Sequence, residues 1–235
     1  MPSLAGPRTL WLAVVVSILS LAGVASAGTV DIFSTPGSGS NNISGTNIGI
    51  PVSPAWAVPT SSQYEWVSYG ETGCNNFNSQ TGLCTAGPQN PVATNVGGTP
   101  TAIFYQTFVV TDALDSGFLY VWADDTAAVY IDPGTVTSGT GASDAIVDYA
   151  ANPNLGSNCA NGPIGCLQNA DAQIALNLTS GTYTLVIDAY QLVSYSPFGV
   201  MYDAVLTNTP EPSTYMLMGL GLAGLGTLIR RLKRS

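Results

Sequence analysis

The sequence predicts an all-β ectodomain, an antiparallel β-sandwich of jelly-roll type, flanked by two hydrophobic termini. Three observations carry this expectation. Short segments rich in aromatic and β-branched residues recur along the chain, separated by Gly, Pro, Asn, Asp and Ser. No amphipathic helix of useful length interrupts them between residues 28 and 208. The composition there is Gly, Ser, Thr, Asn, Ala and Val with scattered Tyr and Trp, a palette that suits pleated, half-buried surfaces.

The strands follow in order. TVDIF (29–33) opens the ectodomain and is followed by long Gly/Ser/Asn/Pro loops up to residue 59. QYEWVSY (63–69) alternates aromatic and polar residues and reads as a strand leading into a cysteine-bounded loop. IFYQTFVVT (103–111) is the first strong strand; DALDSG then reads as a turn before FLYVWA (118–123). Asp124-Asp125-Thr126 reads as a hairpin turn into AAVYID (127–132), which Pro133-Gly134 ends. IALNL (174–178) and TYTLVIDAYQL (182–192) are joined by Thr179-Ser180-Gly181, and VMYDAVLT (200–207) comes last. In 182–192 the period of two puts Tyr183, Leu185, Ile187 and Ala189 on one face, with Thr184, Val186, Asp188 and Tyr190 on the other.

Charge narrows the function further. The chain has 5 Lys and Arg, 14 Asp and Glu, no His, and a net charge of −9. All the cations lie in the termini: Arg8, Arg230, Arg231, Lys233 and Arg234. The ectodomain therefore has none, while it holds every acid except Glu211. Nucleic acid is excluded as a partner, because nothing could neutralise its phosphates. His-dependent nucleophilic catalysis and imidazole-ligated zinc are excluded too. Internal salt bridges cannot form, so packing, hydrogen bonds and disulfides must hold the fold.

Four cysteines form two close pairs in sequence, Cys74 with Cys84 and Cys159 with Cys166. In an exported chain an even count reads as disulfides. Pairing within each short loop is favoured over the other two connectivities, because short loops raise the encounter rate of the thiols. A four-thiolate metal site would need tighter spacing.

The termini give the address. Residues 1–27 carry Arg8, an apolar run (10–24) and Ala25-Ser26-Ala27, the pattern of a signal peptide cut by signal peptidase. Residues 209–235 hold Pro210-Glu211-Pro212, a Gly-rich apolar span (215–229) and the basic tail 230–235 with Arg230, Arg231, Lys233 and Arg234. An apolar segment followed by cations stops transfer, leaving the charge in the cytoplasm. As a helix, 15 residues span only about 22 Å, short of the hydrocarbon core. A transient stop in the inner membrane fits better than a lasting anchor; an ordinary tail anchor is the alternative.

This arrangement of Pro-Glu-Pro, glycine-rich span and Arg-Arg-Leu-Lys-Arg resembles the PEP-CTERM sorting signal of Gram-negative bacteria. The resemblance implies recognition and processing near Pro210-Glu211-Pro212 by an exosortase, a membrane-embedded transpeptidase. YVWADDTAAVYID, LTSGTYTLVIDAYQ and FGVMYDAVLT also resemble galactose-binding-like jelly rolls, a softer match that carries no binding residues over.

Few residues suggest chemistry. Asp124, Asp125 and Asp132 are oxygen donors that suit calcium, although their spacing is not that of an EF-hand. No cofactor is required. Trp56 and Tyr195, in proline-bearing loops, are candidates for stacking on sugar rings, whereas Trp122 in its strand reads as core. No catalytic residue is assigned. The expected role is an exported surface or exopolysaccharide-matrix protein, structural or adhesive. A surface carbohydrate-binding module, calcium-dependent or not, is the alternative. A secreted hydrolase, resting only on unpaired acids, comes third.

Overall fold

The computed structural model describes residues 28–81, 83–86, 98–111, 115–143, 145–149, 164–169, 171–192 and 196–208, and in the C-terminal segment 219, 221–222, 224–226, 229–230 and 232. The chain divides into two compact units, Gly28–Asn208 and a second made of Met1–Ala27 with Thr209–Ser235. The described residues of the second unit are helical. Among the described residues, no helix is long and apolar enough to cross a membrane.

The first unit is an antiparallel β-sandwich. Its strands are β1 (Thr29–Phe33), β2 (Ser40–Asn41), β3 (Ile48–Gly49), β4 (Val67–Ser68), β5 (Cys74–Asn78), β6 (Leu83–Ala86) and β7 (Ala102–Val110). They continue with β8 (Asp115–Asp124), β9 (Thr126–Pro133), β10 (Val147–Tyr149), β11 (Ala172–Leu178), β12 (Gly181–Tyr190) and β13 (Gly199–Asn208). One sheet runs β11-β8-β13-β4-β3, with β1 also paired to β13. The other runs β10-β9-β12-β7-β2, and β5-β6 forms a separate two-stranded ribbon.

The core lies between the two large sheets, built from alternate residues of each strand. From one sheet come Leu119, Val121, Leu176, Tyr202, Ala204 and Leu206; from the other come Phe104, Val129, Ile131, Leu185 and Ile187. The expected faces of β12 hold, since Tyr183, Leu185, Ile187 and Ala189 join this core. Burying each large aliphatic side chain contributes about 1.5–3 kcal/mol, and with no ion pairs available this term dominates.

Three expectations change. Asp124-Asp125-Thr126 is not a hairpin turn: β8 pairs with β11 and β13, β9 with β10 and β12, so the turn carries the chain from one sheet to the other. The DALDSG segment is a turn only in part, because Asp115, Ser116 and Gly117 already pair with Asn208, Thr207 and Leu206. Gly117 is required there, since a Cβ would run into the Val205 carbonyl oxygen. Of residues 63–69, only Val67–Ser68 forms a strand. Side chains hold its neighbours instead: Trp66 Nε1 donates to Ala57 O at 2.8 Å, and Tyr64 Oη lies 2.6 Å from Thr60 Oγ1.

The Cys74–Cys84 disulfide forms as expected and clasps β5 to β6, whose residues Asn75–Asn78 are exposed. Cys166 is also disulfide-bonded; Cys159 lies outside the described residues.

Candidate functional site

Asp124 and Asp125 sit side by side where the chain changes sheet, joined by a cis peptide bond. Both are buried, at 4% and 3% exposure. Their carboxyls are hydrogen-bonded to each other. Trp56 Nε1 donates to Asp124 Oδ2 at 2.8 Å, and the Leu192 amide donates to Asp125 Oδ2 at 2.7 Å. Burial, then the charge of Asp125 and the bond between the carboxyls, raise Asp124 well above the ordinary carboxylate range, against the pull of the Trp56 N–H. A hard cation could neutralise two abutting carboxylates at this position. Thr126 Oγ1, next in the chain, is buried with no hydrogen-bond partner.

Asp132 does not join them. It lies near the far end of β9, about 23 Å along the strand at a rise of about 3.3 Å per residue. Among the described residues, no group of three or more His, Cys, Asp or Glu is placed to hold a metal ion. Asp132 instead accepts the Ala142 amide at 3.1 Å, on the outer face of the five-stranded sheet.

That face is covered. Asp188 accepts the Gly141 amide at 3.4 Å, Tyr105 Oη donates to Gly139 O at 2.7 Å, and Thr184 Oγ1 bridges Val136 N and Gly134 O. The segment 136–142 is thus fastened over Ile103, Tyr105, Tyr130 and Val186. Burial raises Asp188 to about 6, opposed by the Gly141 amide and reinforced by Asp132. Burial and then the charge of Asp188 push Tyr190 up to about 12. Neither effect requires a ligand: a carboxylate under a loop, facing other acids and no cation, behaves this way.

The aromatics expected to meet sugars fall differently. Trp56 is only 4% exposed, with its ring 4.2 Å from that of Trp66. The structure places it inside the unit, as a donor to Asp124, because its indole N–H finds a buried carboxylate to satisfy. Tyr195 lies outside the described residues. Among the described residues, the exposed aromatics are Phe77 on the β5–β6 ribbon and Phe118 on the six-stranded sheet, where Phe118 ends a row that runs inward through half-buried Tyr120 to buried Trp122. Phe118, Tyr120 and Trp122, spaced two apart on β8, form a row with ring centroids 6.5 Å and 6.4 Å apart. Tyr64 continues the row, stacked on Trp122 at 6.4 Å. The signal for this row was in FLYVWA itself, where both alternating sets are apolar but one is wholly aromatic.

Of the sorting residues, Arg230 is helical and exposed, while Pro210, Glu211, Pro212, Arg231, Lys233 and Arg234 lie outside the described residues. Residues 208–233 match the PEP-CTERM protein-sorting motif. The PEP-CTERM motif implies export, a transient stay at the membrane and processing by an exosortase. Among solved structures, a cleaved adhesin domain of Lys-gingipain from Porphyromonas gingivalis aligns with the chain. The alignment covers 78% of this chain and 100% of that one, at 13% identity and a TM-score of 0.32. No curated protein matches the chain.

Proposed function

We propose that the mature protein is a structural or adhesive component of the cell surface or exopolysaccharide matrix, delivered by signal peptidase and an exosortase and acting without catalysis. The sorting motif at 208–233 is the observation that carries this reading. Two further features support it. The sandwich has no Lys, Arg or His from residue 28 to 208, so it lacks an imidazole base, an amine nucleophile and cationic electrophiles. Its disulfides suit an oxidising compartment.

The experiment is replacement of Pro210-Glu211-Pro212 by alanines in a host carrying an exosortase. Retention of the variant in the inner membrane, with the native protein released to the surface, supports the reading. Equal surface display of both refutes exosortase delivery. Turnover on a panel of polysaccharides would refute the absence of catalysis.

The buried Asp124–Asp125 pair favours a second reading, a calcium-dependent carbohydrate-binding module in which these two carboxylates hold the ion. Calcium would then raise the melting temperature of the native protein and leave that of Asp124→Asn unchanged. An equal response, or none, in both proteins removes this reading.

A further inference from the structure

The outer face of the six-stranded sheet leaves uncovered two features that segment 136–142 covers on the opposite face. The first is its aromatic row. Phe118 is 47% exposed, and Val205, its cross-strand neighbour, is 43% exposed. Tyr120 is half-buried beside them, its hydroxyl held by Gln173 Nε2 at 3.0 Å. A hydroxyl already fixed leaves less side-chain freedom to lose on binding. Beyond Tyr120, the indole N–H of Trp122 is buried without an acceptor, on a side chain only 6% exposed.

The second feature is charge without counter-charge. Asp203 lies directly across from Tyr120, and Asp31 pairs with Val205 in the row of Phe118. Cross-strand neighbours have Cα atoms about 4.5–5.5 Å apart, so the Asp203 carboxylate borders the Tyr120 ring. Asp203 Oδ1 is buried with no hydrogen-bond partner. Burial and then the nearby charge of Asp171 raise Asp203 above its ordinary value, marking a carboxylate that nothing in the protein neutralises. No cation between residues 28 and 208 exists to do so. Any cation that pairs with Asp203 or Asp31 therefore comes from outside the sandwich.

We propose that this face binds a polysaccharide bearing free amino groups, its pyranose rings stacked on Phe118 and Tyr120 and its ammonium groups paired with Asp203 and Asp31. The inference rests on the surface-binding reading above and names the ligand class for it. Flat aromatic rings in a row match the apolar faces of successive sugars, and an ammonium beside a ring adds a cation–π attraction. A neutral glycan would use the rings and leave the carboxylates unneutralised. A basic peptide would use the carboxylates and gain little from co-aligned rings.

The test titrates the full chain, in mild detergent, with a glucosamine oligosaccharide by calorimetry and tryptophan fluorescence. N-acetylglucosamine, glucose and lysine oligomers of equal length are the comparisons. The free-amine sugar should bind at least about tenfold more tightly than each of the others, a difference of about 1.4 kcal/mol, and should weaken as salt rises. Phe118→Ala should lose about tenfold in affinity, and Phe118→Tyr, which keeps the ring, should retain it. Asp203→Asn should abolish the preference for the free amine. Equal binding of the acetylated or glucose oligomer overturns the proposal. Equal binding of the lysine oligomer overturns it in favour of a basic peptide, and so does indifference to Phe118→Ala. None of these failures alters the outcome of the Pro210-Glu211-Pro212 replacement, so the two readings fail separately.

Discussion

The two outer faces of the sandwich start from the same plan and end differently. Each large sheet turns alternate residues away from the core, and each outer face carries aromatics and carboxylates. On the five-stranded sheet these are Tyr105, Tyr130, Asp132 and Asp188, and the segment 136–142 is fastened over them by its own amides. On the six-stranded sheet they are Phe118, Tyr120, Asp31 and Asp203, and Phe118 stays open to solvent. In a sandwich without cations, a buried carboxylate can be satisfied only by N–H or O–H donors. The first face supplies some of them from its loop, to Asp132 and to one oxygen of Asp188, while Asp188 Oδ1 and, on the second face, Asp203 Oδ1 are left without a partner. The contrast separates a face covered by its own chain from one left open to solvent.

The largest test of this contrast is at the closed face. Gly141 sits against the ring of Tyr130, and a Cβ there would overlap it. Gly141→Val should therefore lift the segment and lose its bonds to Asp188 and Asp132, costing about 3 kcal/mol in a denaturant titration. A loss below about 0.5 kcal/mol would mean that the segment does not hold the face closed.

A smaller effect of opposite sign is expected at Asp188. Its pKa is raised from 3.8 to about 6 in the fold, so the folded state binds the proton more tightly than the unfolded chain. That contribution is complete below about pH 4 and is lost as pH rises through about 6. Asp188→Asn keeps an oxygen for the Gly141 amide and removes the buried charge. It should raise stability at pH 7 by roughly 2 kcal/mol and flatten the pH dependence between 4 and 6. Thermal melts across that range decide it; an unchanged slope would show that Asp188 is not the group responsible.

The smallest effect belongs to the open face. Phe118→Ala should change stability by less than about 0.5 kcal/mol, because the ring is already half in water. A loss of 2 kcal/mol or more, of the size that core truncations cost, would show that the open face is part of the scaffold.

Much of this architecture was legible in the sequence. The segments that became β7, β8, β9, β11, β12 and β13 announced themselves by aromatic and β-branched residues, and the alternation of β12 gave its core face residue by residue. What stayed hidden depended on long-range partners. Asp124-Asp125 looks like a hairpin turn, and only the pairing of β8 with β13 and of β9 with β12 shows it to be a sheet-to-sheet crossing. CNNFN reads as loop because its order comes from the ribbon and the Cys74–Cys84 bond rather than from an apolar face. Trp56 reads as a loop aromatic free to meet a sugar, yet its N–H reaches a carboxylate 68 residues away. Trp122 is buried as expected, but on the outer side of its sheet beneath Tyr64, not between the sheets. Local pattern fixes which residues alternate; the chain's return determines which face is covered.

The most direct measurement is intact-mass spectrometry of the protein recovered from the cell surface under non-reducing conditions. The expected chain begins at Gly28, lacks the apolar span 215–229 and the basic tail, and has its cysteines oxidised. A surface protein with Arg230, Arg231, Lys233 and Arg234 still attached would contradict it.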